Sequence, residues 1–278
     1  TFHEVSLIQL VNKYMKNIIL EAYKDVENIQ TFTEDAFLTY TKERLKLQEP
    51  VVKFIEKIKQ EKFDVLDIGS GSSVLSYALH EAGLLKSADC IEPSKSRYEF
   101  AQKWKADNYK NSNVNNYNLD IQKYNTQDNY DVITIIDNTL SYISIFYAEN
   151  EIYDIFKNIF EVLKDTGVLI IEVTLFTNIV NQIHASTTGI SQKFELGNSI
   201  GLWEYKLIQD DIINIESTYI DSDCRVKTKK ENSKIFTKNE LIKFFLKIGF
   251  KDIKFYSDFN QGAYIHQKSD KLVICCKK

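Results

Sequence analysis

Proline is nearly absent from this chain: Pro50 and Pro93 are the only two among 278 residues, and glycine is sparse at nine. No Pro-Pro pair exists, so no motif built on one is present. Four cysteines (Cys90, Cys224, Cys275 and Cys276) form neither a C-x-x-C pair nor a spacing with histidine that suits a metal, so no zinc or other metal is expected. Few cysteines without a framework read as a reduced, cytoplasmic protein. No uncharged apolar run approaches the ~18 residues of a membrane span, and no signal-peptide pattern is visible. A positive excess is also missing: 35 Lys and Arg face 39 Asp and Glu, a formal charge of −4. Phosphate neutralisation needs clustered cations, so neither a nucleic acid nor a membrane is an expected partner.

What is present is an ordinary globular composition, 44% hydrophobic and 27% charged. The length suits one large domain, or one domain with a sizeable cap, and buries a real core. The wealth of Asn, Lys and Ile reflects genomic base bias more than function.

The organising stretch is Phe63 to Leu75, FDVLDIGSGSSVL. Asp64 to Ile68 reads as a short buried strand between charge and glycine. Gly69 and Gly71 open backbone angles closed to other residues and let a ligand approach the main chain. Ser72 and Ser73 are N-cap candidates for the apolar-periodic run Val74, Leu75, Ala78 and Leu79. A strand, a glycine turn and a helix N-terminus together form a cofactor cradle in an α/β sheet. A dinucleotide fingerprint would need glycine at position 74, which is Val74, so a nicotinamide dehydrogenase is disfavoured.

Upstream, Val5, Leu7, Ile8, Val11, Met15, Ile18, Ile19 and Ala22 follow a helical period, a second helix follows Thr33, and a third runs from Pro50 to Lys59. Downstream, Ser87 to Ile91 reads as a strand ending at Glu92, about twenty residues past the turn, where a carboxylate accepts both ribose hydroxyls. Val114 to Leu119 and the apolar run Tyr130 to Ile136 are further strands, Ile152 to Leu163 is a helix, and Gly167 to Thr174 is a fifth strand containing Glu172. From Lys193 the pattern alternates, with turns at Gly197-Asn198 and Gln209 to Asp211, which predicts inserted antiparallel hairpins of about forty residues. The Lys-rich stretch Lys227 to Lys234 reads as a solvated hairpin tip. Thr237 caps a helix ending at Gly249, followed by strands Phe250 to Tyr256 and Lys271 to Cys276.

Asp67 to Ser73, D-x-G-x-G-x-S, resembles motif I of the class I S-adenosylmethionine (SAM) methyltransferases, D/E-x-G-x-G-x-G, with Ser73 in place of the third glycine. Glu92-Pro93-Ser94, followed by Arg97, is similar to the second family motif. Asp137-Asn138-Thr139-Leu140-Ser141-Tyr142 resembles the (D/G)-N-(S/A)-L-x-(H/Y) segment of small-molecule members, including glycine/sarcosine-like and nucleotide-sugar amine methylators. Methylators of nucleic acids and protein amides carry (N/D)-P-P-(Y/F) there, which this chain cannot.

The resemblance spans residues 35 to 278. It implies a Rossmann-like α/β fold: a seven-stranded, mostly parallel sheet with the last strand antiparallel. The expected organisation is a helical lid (1–60), a SAM-binding core (61–178), an antiparallel β insertion capping the substrate (179–235) and a C-terminal helix with strands (236–278). It further implies cofactor contacts from Tyr40, Arg44, Asp67, Gly69, Ser70, Gly71, Glu92, Pro93, Asp120, Ile121, Asp137 and Asn138. In this reading Tyr40 faces the sulfonium and Arg44 holds the methionine carboxylate. Asp120 receives the adenine amino group beside Ile121.

Candidates for orienting or deprotonating the acceptor are Asp137, Tyr142, His184 and His266; an amine needs only orientation, a hydroxyl a true base. The expected acceptor is a small polar metabolite methylated on N or O, with a sugar or nucleotide-linked sugar in view and Trp203, Tyr205 and Tyr219 on its side. A catalytically silent SAM-binding scaffold is the alternative. A homodimer through the N-terminal helices or the β insertion is left open.

Overall fold

The computed structural model describes residues 34–278 apart from 127, 186–189, 197–198 and 221–225. The first predicted helix, Cys224 and the Gly197-Asn198 turn therefore lie outside the described residues, as do the side chains of Tyr40 and Tyr219.

Two helices lead in, α1 (Glu34–Lys46) and α2 (Glu49–Ile58), the second with Pro50 in its first turn, where a missing N–H costs nothing. The core then alternates β1 (Phe63–Ile68), α3 (Val74–Glu81), β2 (Leu85–Ile91), α4 (Lys95–Asn108), β3 (Val114–Tyr117) and β4 (Tyr130–Ile135). Next come α5 (Thr139–Phe146), α6 (Glu149–Val162), β5 (Leu163–Thr174) and α7 (Thr177–Ala185). A meander follows, β6 (Ile190–Leu196), β7 (Ser199–Gln209), β8 (Ile212–Ile220) and β9 (Val226–Lys234). The chain closes with α8 (Lys238–Ile248), β10 (Lys251–Tyr256) and β11 (Lys271–Lys277).

The main sheet has seven strands in the order β10-β11-β5-β4-β1-β2-β3. β1, β2, β3, β4 and β5 pair in parallel, and β11 runs antiparallel between β5 and β10. This is the expected Rossmann-like sheet with one reversed strand. Strands β1, β4, β5 and β11 are buried on both faces, hence their near-continuous apolar runs. One face packs on α2 and α3 through Phe54, Ile55, Leu75 and Leu79; the other packs on α5, α6 and α8 through Leu140, Phe156, Ile159 and Phe245. Each fully buried side chain of this size contributes about 1.5–3 kcal/mol.

The meander forms a separate four-stranded antiparallel sheet, β6-β7-β8-β9. Its Tyr205, Ile213 and Ile215 pack with Phe176 and, from α7, Ile179, Val180 and Ile183.

Two local expectations are corrected, and two unexpected helices are present. Ser73 occupies the N-cap position of α3 but makes no capping bond; at φ 59° its hydroxyl donates instead to Asn116 Oδ1, 2.7 Å away. Two helices were not foreseen. Helix α5 is apolar on nearly every side and so lacks an amphipathic signature. Helix α7 starts where Asp270, distant in sequence, accepts from the Asn178 amide at 2.8 Å. Finally, Lys227 to Lys234 is no hairpin tip. It forms most of β9, paired along its length with β8, with Lys234 ion-paired to Asp211.

Candidate active site

The glycine turn sits at the C-terminal end of β1, where parallel strands leave a crevice. Gly69 (φ +72°) and Gly71 (φ +57°) both adopt the left-handed region, and a Cβ on Gly69 would stand 2.5 Å from Thr139 Cγ2. Glycine is therefore required sterically as well as conformationally. Beside the turn lies a cavity of about 170 Å³, lined by Gly69, Ser70, Gly71, Glu92, Pro93, Asp120, Ile121, Asp137 and Arg44. Nine of the expected cofactor contacts thus converge on one cavity, drawn from five separate stretches of chain.

Glu92, at the end of β2, is 5% exposed. Its Oε2 accepts from the Gly71 amide and its Oε1 from the Ser94 amide, each at 2.8 Å. The carboxylate thereby fastens the glycine turn to the cap of α4 while each oxygen keeps a lone pair for a ligand hydroxyl. Burial raises its pKa, opposed by the Arg97 guanidinium and the two amides.

Asp67 lies beneath the turn, not on the cavity surface. It is 2% exposed and accepts from Thr134 Oγ1 at 2.7 Å. Burial pushes its pKa up to about 7, with repulsion from Asp137 and Glu92 adding to the rise.

Asp137 and Asn138 occupy consecutive left-handed positions, φ 52° and φ 63°. Such strain persists only where neighbours impose it, and here they do. The Asp137 amide donates to Glu172 Oε2 at 3.1 Å. Asn138 Oδ1 accepts from Ser141 Oγ at 2.7 Å and the Thr174 amide at 3.0 Å, while its Nδ2 donates to Ser233 Oγ at 3.0 Å. The Asp137 carboxylate pairs with Arg44 of α1, across the mouth of the cavity. Asp120 Oδ1 accepts from Tyr147 and from the Gln122 amide.

Ser70 and Thr41 line the same cavity, and their buried hydroxyls have no hydrogen-bond partner among the described residues. Buried hydroxyls in that state suit a polar ligand. The two glycines, Glu92 and these hydroxyls fit SAM: room for close backbone approach, an acceptor for ribose, and donors for the amino-acid end.

A second, larger cavity of about 710 Å³ lies under the small sheet, lined from α7, β7, β8 and β9 and by Asn138 and Lys271. Tyr142 lines both cavities. His184 is exposed on α7, and His266 is exposed with Nδ1 at 3.4 Å from the Tyr264 hydroxyl. Neither histidine lines these cavities. Sequence reasoning did not single out Thr41, Ile143, Phe146 or Tyr147 of the first cavity. Phe146 carried a signal, an aromatic one turn beyond Tyr142. Among the described residues no cluster of His, Cys, Asp and Glu could hold a metal.

Residues 59–188 match the family model described as a methyltransferase domain. No curated protein sequence matches the chain. Among solved structures, an S-adenosylmethionine-dependent methyltransferase from Clostridium acetobutylicum superposes with a TM-score of 0.70 at 15% identity, covering 82% of this chain and 91% of the other. The CcbJ methyltransferase from Streptomyces caelestis gives 0.70 at 15% identity, with 82% and 88% covered. CalS10, a SAM-bound amino pentose methyltransferase from Micromonospora echinaspora, gives 0.61 at 12% identity, with 82% and 89% covered. At such identities the likeness establishes the fold. The matched range includes the glycine turn: residues 59–188 are similar to a methyltransferase domain, on a fold shared with SAM-dependent methyltransferases.

Proposed function

We propose that this methyltransferase moves a methyl group from SAM to an N or O atom of a small polar metabolite, with a sugar or nucleotide-linked sugar as the acceptor class. The observation that carries the reading is Tyr142, the side chain shared by the cofactor cavity and the cavity under the small sheet. An acceptor lying in the second cavity meets the first at this ring. The amino pentose methyltransferase with the same fold adds support for the sugar class.

When bound, SAM supplies an electrophilic methyl on a cationic sulfur. Glu92 would hold the ribose, Ser70 and Thr41 the amino-acid end, and Asp120 and Ile121 the adenine. Arg44 would exchange Asp137 for the methionine carboxylate, which frees Asp137 to orient the acceptor. Tyr142 would direct the acceptor atom with its hydroxyl. With both histidines away from the cavities, an amine that arrives unprotonated suits the site better than a high-pKa hydroxyl. The helices and small sheet flanking the crevice would favour transfer by excluding water.

Transfer from methyl-labelled SAM, with binding followed in parallel, tests this reading. Glu92→Gln should weaken SAM binding about tenfold, the order of one charged hydrogen bond, and Asp137→Ala should lower transfer more than binding. Parent-like binding and turnover in both variants would overturn the assignment.

A further inference from the structure

The inner wall of the second cavity is set by strand register. Gln192, Trp203, Ser217 and Lys229 are successive partners in one row across β6, β7, β8 and β9. Ile190, Tyr205, Ile215 and Glu231 form the next row on the same face, because side chains two residues apart share a face. Lys229 and Glu231 therefore project together into the cavity, ion-paired, with each side chain only 12% exposed.

Such a pair is a poor device for stability, since apolar residues of similar volume usually serve a fold as well or better. The ion contact runs to Glu231 Oε2, which is buried beneath the wall. Glu231 nevertheless lines the cavity, and a carboxylate accepts through two oxygens. The remaining charges are committed. Lys271 pairs with Glu172 at 2.7 Å, and Asp270 accepts from Asn178. Among the described residues no arginine lines this cavity. Each described cation on its wall is thus neutralised by a carboxylate, the opposite of what a phosphate needs.

We propose that the Lys229–Glu231 pair selects the acceptor by charge, admitting a neutral or amine-bearing polyol and keeping phosphate groups out of the cavity. Glu231 accepts from a hydroxyl or amine of the acceptor, and Lys229 donates to a neighbouring oxygen while cancelling the carboxylate's charge. Trp203, on the row with Lys229, offers an apolar face to a saturated ring. This rests on the reading of that cavity as the acceptor side; it decides between a sugar and the phosphates of a nucleotide-linked sugar for the space inside.

The test needs no knowledge of the natural acceptor. Protein saturated with S-adenosylhomocysteine is titrated with inorganic pyrophosphate, and each protein is compared with its Lys229→Met counterpart, which subtracts binding elsewhere. The parent should show no Lys229-dependent binding. Glu231→Gln, which keeps the shape and removes the carboxylate's charge, should gain Lys229-dependent pyrophosphate affinity of about tenfold or more. The apolar double variant Lys229→Met/Glu231→Leu should melt near the parent, which separates selection from folding. Lys229-dependent pyrophosphate binding by the parent, or no gain in Glu231→Gln, overturns the proposal. Saturation with S-adenosylhomocysteine, checked first, reports on the methyltransferase reading by itself.

Discussion

At the scale of single residues, the turn that holds the cofactor cavity is built from strain and buried charge. Ser73 stands where the related motif has its third glycine, and it sits at φ 59°, a conformation costly for a residue with a Cβ. The bond to Asn116 offsets part of that cost. The substitution was legible in the sequence; its compensation was not, because Asn116 is remote and its neighbours are other asparagines. Asp67 is the second such residue. Its pKa, raised to about 7 by burial, lies above the ordinary carboxylate value of 3.8. The folded state therefore binds a proton more tightly than the unfolded chain, and this contribution to stability is lost as pH rises from about 4 through about 7. Asp67→Asn keeps the acceptor for Thr134 and removes the titration. Its advantage over the parent should be smallest at about pH 3 and grow towards about pH 8, with a ceiling on the order of 4 kcal/mol at ~1.4 kcal/mol per tenfold change in proton affinity. Urea unfolding at the two pH values measures it.

At the scale of elements, those with a local signature were readable and those stabilised from afar were not. Thr237 and Glu240 cap α8 reciprocally, as their spacing implies, and Gly249 ends it at φ 120°. Glu92 was readable as a site residue because the strand end and the distance from the turn are both local facts. By contrast, α7 depends on the segment before β11: Asp270 holds the Asn178 amide, and Thr177 Oγ1 donates to the Ser269 carbonyl at 2.8 Å. Asp270→Ala should destabilise the start of α7 by about 1 kcal/mol, the usual worth of a helix cap. Hydrogen exchange should then quicken in residues 177–185 and stay unchanged in β1, β4 and β5. Strand β9 was misread because its inner face carries charges where a half-buried strand ordinarily shows apolar residues. A ligand wall hides from a hydrophobicity pattern for that reason.

At the scale of the whole molecule, the fold class was legible because the alternation of buried strands and helices is a repeating pattern. The second cavity was not, because it exists only between two sheets whose relative placement no local pattern encodes. Cofactor binding is the matching global measurement. SAM and S-adenosylhomocysteine at about a hundred times their dissociation constants should add about 2.7 kcal/mol and raise the melting midpoint by roughly 5 °C or more, and NAD should leave it unmoved. The reversed strand β11 has a consequence of another kind, for the order of assembly. It inserts between β5 and β10, and its partner Glu172 lies 99 residues before Lys271. Until the meander, helices α7 and α8 and strand β10 have been crossed, the edge of β5 stays open, offering the apolar run Val168 to Ile171 to any passing strand. Closing so long a loop is slow, and an open apolar edge recruits neighbours. The step that completes this sheet is therefore also the one at which the folding chain is most exposed to self-association.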